Sequence, residues 1–279
     1  KKRAEPTTRL VEGDVVRVPP VRIAEPAQMA SVNAAQTKSR AHAYLDKMPV
    51  LFEDEALLIV DKPSGLAVHG GSGIALGVIE TLRIARPELK FLELVHRLDR
   101  DTSGVLLLAK KRSALVELHR QIRENQTDKR YYLLAHGEIK QGAQVMQLKY
   151  PLHKYLLANG ERRVRVDPEG LPSHTALRVS KVMKRDDAAI TLAEAQLKTG
   201  RTHQIRVHLQ KLGHAILGDD KYGFEDQDKQ IKSKRLYLHA HLAGFTHPRT
   251  GEKMRIESPI PAEFTAMMKT FEQVNSAQE

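Results

Sequence analysis

Apolar residues fall into short blocks along this chain, and the spacing within each block separates strands from helices. Leu57-Leu58-Ile59-Val60, Gly104-Val105-Leu106-Leu107-Leu108, and the runs 131–136 and 189–197 are continuous or alternating and of strand length. A helix is predicted after Ser113, where Leu115, Leu118 and Ile122 share one face and charges occupy the other. A second is predicted from Thr202 as N-cap, with Ile205, Leu209 and Leu212 on a buried stripe and Arg201, Gln204 and His208 on a polar one. Near the start, Gly13-Asp14 before Val15-Val16-Arg17-Val18 predicts a turn into a strand. Strands and helices do not alternate regularly. The fold class expected is therefore α+β around a mixed, largely antiparallel sheet, not a doubly wound one.

The same pattern divides the chain. Residues 1–23 are too few for a core and read as the end of something larger, and the N-terminus, which lacks methionine, as truncated or processed. Residues 24–47, with Pro26 and much Ala, Gln, Ser and Asn, read as a linker. The main domain is expected over 48–270, followed by a disordered tail, 271–279.

Composition narrows the function. Apolar residues make up 41% of the 279, an ordinary globular share. With no cysteine there are no disulfides, thiolate metal sites or cysteine nucleophiles. No apolar run approaches the roughly 18–20 residues that span a bilayer, so a cytoplasmic protein without membrane contact is expected. A net charge of +11 favours a polyanionic partner, because each phosphate contact releases condensed counterions.

Three polar stretches could carry chemistry. His96-Arg97-Leu98-Asp99-Arg100-Asp101-Thr102-Ser103-Gly104 is a charged loop between apolar runs, where a rigid frame can hold a catalytic group; spacing alone does not choose between Asp99 and Asp101, and a solvated hairpin turn fits equally. Thr199 to His208 places polar side chains near a helix start, suited to phosphate or carboxylate, or simply to solvent. Gly218-Asp219-Asp220-Lys221-Tyr222-Gly223 reads first as a turn. His239, His241 and His247 have no carboxylate or thiolate spacing that would support a metal site, and Gly70-Gly71-Ser72-Gly73 lacks the ending of a phosphate-binding loop, so neither metal nor cofactor is expected.

Taken together, these stretches resemble the RluA family of pseudouridine synthases, in order and over most of residues 50–260. His96-Arg97-Leu98-Asp99 with Thr102-Ser103-Gly104 is similar to the family's catalytic motif, and Asp61-Lys62-Pro63-Ser64-Gly65 to its first motif. Lys129-Arg130-Tyr131 resembles its Lys-x-Tyr strand, and Gly200-Arg201-Thr202-His203-Gln204-Ile205-Arg206 its third motif. His69 to Gly73, 91–108 and 160–166 are most similar to a member that acts on large-subunit ribosomal RNA, and residues 1–23 resemble the tail of its S4-type RNA-binding domain. Ala215 and Leu171 depart from the family pattern.

The resemblance implies isomerisation of chosen uridines on ribosomal RNA by a monomer. It implies Asp99 as the catalytic carboxylate, Arg201 as its guanidinium partner and Tyr131 as the ring under the uracil. Arg97 is implied to fill the stack left by a flipped-out base. His96, Thr102, His203, Gln204, Arg206 and Lys62 are expected at the RNA, with Lys110, Lys111 and Arg112 on its backbone. Two readings of other classes stay open: an RNA-binding assembly factor without catalysis, and a metal-dependent nuclease using Asp99, Asp101 and the histidines.

Overall fold

The two longest apolar runs become adjacent strands because each is buried on both faces. In this computed structural model the described residues are 34–70, 76–140, 144–158 and 160–273. The chain divides into two units, Lys1–Thr37 and Lys38–Glu279, and the second carries every strand of the described residues. Helix α1 (Ala34–Leu45) leads to the hairpin of β1 (Val50–Glu53) and β2 (Leu57–Lys62). Helix α2 (Val78–Ala85) and the short β3 (Glu93–Leu94) precede β4 (Ser103–Ala109), α3 (Arg112–Arg123) and β5 (Asp128–His136). Strands β6 (Met146–Leu148), β7 (Leu152–Leu156), β8 (Arg162–Val166), β9 (Thr175–Arg185) and β10 (Ala188–Leu197) come next. Helices α4 (Gln204–Lys211) and α5 (Glu225–Gln230), strands β11 (Leu238–Thr246) and β12 (Lys253–Glu257), helix α6 (Ala262–Lys269) and β13 (Glu272–Gln273) complete the order.

Eleven strands form one sheet in the order β1-β2-β4-β11-β5-β10-β9-β13, with β3, β6 and β12 attached beside β4, β9 and β11. Among the described residues only β4 and β11 pair in parallel; the other pairs are antiparallel, so the expected α+β class holds. Leu58, Val60, Leu106 and Leu108 join one core, with α2, Ile205 and Leu209 of α4, and Phe264 of α6. Leu57, Ile59, Val105 and Leu107 point the other way, into a core closed by Leu118 of α3 and Phe245. Each such side chain stabilises the fold by about 1.5–3 kcal/mol relative to exposure, which is why β2 and β4 read as unbroken apolar runs.

Two glycines allow close backbone approaches around the central strands. Gly104 has φ +111°, and a Cβ there would lie 2.2 Å from the Ala240 carbonyl oxygen on β11. Gly218 has φ +69°, with the Arg235 carbonyl oxygen 1.8 Å from the same hypothetical atom.

Three expectations need adjustment. Helix α4 starts at Gln204, with His203 in its cap position at φ 52° and no side-chain cap, so Thr202 does not cap it. A helix stands at Ala34–Leu45 inside the segment read as a linker. Glu272 and Gln273, at the start of the segment read as a disordered tail, pair with β9. The strand expected at 15–18 and the S4-like remnant lie outside the described residues.

Candidate active site

A turn between β3 and β4 carries Asp99, and its backbone is held from several sides. The Thr102 amide donates to the Asp99 carbonyl at 3.2 Å. Ser64 Oγ donates to the Asp101 carbonyl at 2.7 Å, and Lys62 Nζ donates to the Arg100 carbonyl at 2.8 Å. Lys62 also donates to the carbonyls of Pro63 and Leu66, at 2.9 and 2.7 Å. Burial pushes this ammonium down to about 7, against the pull of Asp101 and Asp99. Three carbonyl acceptors match the three donors of the charged form.

Asp99 and Asp101, indistinguishable by spacing, now separate. Asp101 pairs with exposed Arg100 at 3.1 Å. Asp99 instead lines a cleft of about 450 Å³, and it is the sole acid among the described lining residues. Tyr131, on β5, lines the same cleft at 8% exposure; burial, reinforced by Asp99, raises its pKa, which keeps it a neutral phenol.

The guanidinium at Asp99 belongs to Arg206, not to Arg201. Arg206 Nη1 donates to Asp99 Oδ2 at 3.3 Å. Asp219 clamps Arg206 from behind, accepting from Nε at 2.8 Å and Nη2 at 2.5 Å, and Asp220 accepts from Nη2 at 3.0 Å. Burial works against this cation, but the hydrogen bonds and charge of Asp219, with Asp99 and Asp220, outweigh it and raise its pKa. Arg201 is exposed, and its Nε donates to the Pro172 carbonyl at 3.2 Å. The physical reason is where the helix starts. With α4 beginning at Gln204, Arg206 lies inside its first turn and Arg201 stays in the preceding loop.

Several residues expected at RNA have structural bonds of their own, although His96, Thr102, Gln204 and Arg206 also line the cleft. Lys62 is fully buried and occupied by carbonyls. Gln204 is buried; its Oε1 accepts from Thr199 Oγ1 and the Arg201 amide, and its Nε2 donates to the His174 carbonyl and Thr175 Oγ1. Thr102 is buried, and Arg206 is committed to carboxylates. His96 Nε2 accepts the Leu107 amide proton at 3.2 Å, and burial, with Lys129 nearby, holds its pKa at about 4. Lys110 and Lys111 pair with Glu53 and Glu55.

Arg97 and Arg201 remain as exposed cations on the cleft, where His203 also stands, its Nε2 3.8 Å from Asp99 Oδ1. Lys129, two residues before Tyr131, lines it too. Burial lowers the Lys129 pKa, and among the described residues it has no hydrogen-bonding or ion-pairing side-chain partner. Sequence reasoning missed Asp219 as the clamp on Arg206; the one signal was its place after a glycine that the turn requires.

The histidines considered for metal are dispersed. His239 bonds Ser103 and Ser258, His241 faces Glu194, and His247 faces Asp54. Among the described residues no group of three or more His, Cys, Asp or Glu side chains is arranged to hold a metal ion. Nor is any helix there long and apolar enough to cross a membrane.

Residues 56–211 match the family described as RNA pseudouridylate synthase. The chain is 48% identical over 280 residues to the ribosomal large subunit pseudouridine synthase C of Pasteurella multocida, covering 99% of this chain and 82% of that one. It is 51% identical over 265 residues to the protein of the same name from Escherichia coli K12, covering 93% and 80%. Among solved structures, human RNA pseudouridylate synthase domain containing 1 superposes with a TM-score of 0.67 at 22% identity, covering 83% of this chain and 91% of that one. Human RNA pseudouridylate synthase domain containing 4 gives 0.66 at 24%, covering 86% and 99%. These two likenesses concern the fold.

Proposed function

The chain belongs to the RNA pseudouridylate synthase family, and from that premise we propose that it isomerises uridines of large-subunit ribosomal RNA with Asp99 as the reacting carboxylate. The observation that carries the reading is a single acid among the described residues of the cleft, held by a buried guanidinium. The large-subunit substrate comes from the name its relatives share.

Isomerisation breaks the N1–C1′ bond, turns the uracil and joins C5 to C1′. The proton lost from C5 is balanced by one gained at N1, so the product has the atoms of the substrate. A carboxylate suits the work because it is charged at neutral pH and leaves readily after adding to an electrophilic carbon. Arg206 donates to one of its oxygens and so anchors it in the cleft.

A base inside a stack cannot reach Asp99, so the target uridine is flipped into the cleft. Tyr131 then offers a ring face to the uracil, and its neutral hydroxyl is a donor that does not repel the incoming base. Arg97 is exposed next to Leu98 and Asp99 and has the planar head that can fill the vacated stack. The resemblance of residues 1–23 to part of an S4-type domain supports a contribution of that segment to RNA affinity. We take the protein to act as a monomer in the cytoplasm, where ribosomal RNA is made.

The experiment is tritium release from C5-labelled uridine in ribosomal RNA transcripts. Wild type releases tritium, and Asp99→Asn, which keeps the shape and removes the charge, does not. Full turnover by Asp99→Asn overturns the assignment. RNA binding by the wild type with no release from any transcript favours a binding factor instead.

A further inference from the structure

Tyr222 is 4% exposed, and its hydroxyl has two polar neighbours among the described residues. The Val164 amide lies 2.9 Å away and can only donate, so the phenolic oxygen accepts there. The phenol's own proton then needs an acceptor, and His203 Nδ1, at 2.8 Å, is the one in range. A ring nitrogen that accepts carries no proton, and in a neutral imidazole the proton sits on the other nitrogen. That other nitrogen, Nε2, lies 3.8 Å from Asp99 Oδ1.

We infer that His203 is a positioning residue for the reacting carboxylate, its proton fixed on Nε2 by Tyr222 and directed at Asp99. Arg206 holds Oδ2, and His203 presents an N–H to the flank of Oδ1. A donor closing on Oδ1 from 3.8 Å would set the plane of the carboxylate, which the Arg206 bond alone leaves free to turn about Cβ–Cγ. At 3.8 Å the histidine contact is open, and it closes when Asp99 shifts or when a substrate atom enters between the two groups.

Further observations fit this role. The ring stays neutral because burial lowers its pKa against the pull of Asp99, and Arg206 and Lys221 act in the same direction as burial. His203 has φ 52°, in the left-handed region that Asn, Asp and His enter more often than other non-glycine residues. Tyr222 is itself fixed, with the guanidinium carbons of Arg206 and Arg163 at 5.3 and 5.7 Å from its ring centroid. Val164 belongs to the separate β7–β8 hairpin, so a strand outside the main sheet sets the tautomer of a histidine in the cleft.

The inference rests on Asp99 as the reacting group, and its test separates the two. Long-range ¹H–¹⁵N correlation on the full chain, labelled at histidine, reads the tautomer without reference to turnover. The His203 signal, assigned by its loss in His203→Gln, is expected to show Nε2 protonated and Nδ1 bare. In Tyr222→Phe the tautomers mix, and kcat falls about tenfold, the size of one lost hydrogen bond. His203→Gln, which can place an amide near the Nε2 position, is expected to keep more turnover than His203→Asn. A purely structural role predicts the reverse, because asparagine suits the backbone better. An Nδ1–H tautomer in the wild type, or His203→Asn as active as His203→Gln, overturns the inference. Turnover by Asp99→Asn beside an Nε2–H tautomer would instead condemn the reading of Asp99.

Discussion

Arg206 Nη1 lies 3.3 Å from Asp99 Oδ2 while Asp219 grips the other side of the same guanidinium. Lysine at this position keeps the charge but cannot donate to Asp99 and Asp219 together, since it lacks the rigid fork. Arg206→Lys is therefore expected to lower kcat about a hundredfold, on the scale of losing one preorganised donor. Arg201→Ala, which removes an exposed side chain bonded to the Pro172 carbonyl, is expected to leave the chemical step near wild type. Single-turnover rates at saturating enzyme compare the two directly. Equal losses would show that the helix start does not decide which arginine serves Asp99.

Arg97 and Lys129 line the same cleft but should fail differently. Arg97→Ala is expected to slow turnover with the melting temperature unchanged, because its side chain is exposed and the base must still be held out of its stack. Lys129→Met removes a partly buried cation with no acid beside it among the described residues, a group suited to one RNA phosphate. Its mark is expected in binding, as a drop of about one in the slope of log K against log salt. Titrations of one transcript at several salt concentrations, beside a tritium-release assay, separate the two.

Gly104→Ala puts a methyl group 2.2 Å from the Ala240 carbonyl oxygen at φ +111°. The parallel contact between β4 and β11 must open to admit it. We expect a loss of about 3 kcal/mol, combining strain with a disrupted strand pair, read as a lower urea midpoint. Activity should fall with it, because β4 begins four residues after Asp99.

Acid should weaken the fold before most carboxylates titrate. Burial holds His208 and His239 at about 4, below their ordinary 6.5. Between those values the unfolded chain binds protons that the folded chain refuses. The contribution of both residues is thus complete above about 6.5 and declines as the pH falls towards 4, by up to about 3 kcal/mol each. Urea midpoints at pH 7.5, 6 and 4.5 should fall in that order. His208→Gln, which keeps a donor for the Tyr150 carbonyl, should flatten the trend; an unchanged trend would remove His208 as a cause.

Much of the frame was legible because β2 and β4 are buried on both faces and so carry unbroken apolar runs. The resemblance singles out Asp99 because its motif is contiguous, and that residue lines the cleft. What failed was whatever depended on contacts between distant segments. Asp99 and Asp101 differ only in where Ser64, Lys62 and Thr102 turn the loop. Lys62 looked like a surface cation, since lysines are rarely buried without partners, but its partners are carbonyls, one of them 38 residues away. The resemblance implies Arg201 as the partner of Asp99, whereas α4 begins at Gln204 and Arg206 takes that place; nothing local to the sequence announces a histidine in the left-handed region.

One positive charge on Arg206 is shared among Asp99, Asp219 and Asp220. Asp219 and Asp220 do not line the cleft, so among the described residues its surface carries Asp99 alone against Arg97, Arg100, Lys129, Arg201 and Arg206, inside a protein whose overall balance is +11. A polyanion is drawn to that basic surface, and only beside Asp99 is a phosphate disfavoured, so the uncharged nucleobase is the part suited to lie against the carboxylate. Selectivity for base over backbone is in that sense a property of local field, set before any hydrogen bond to uracil forms.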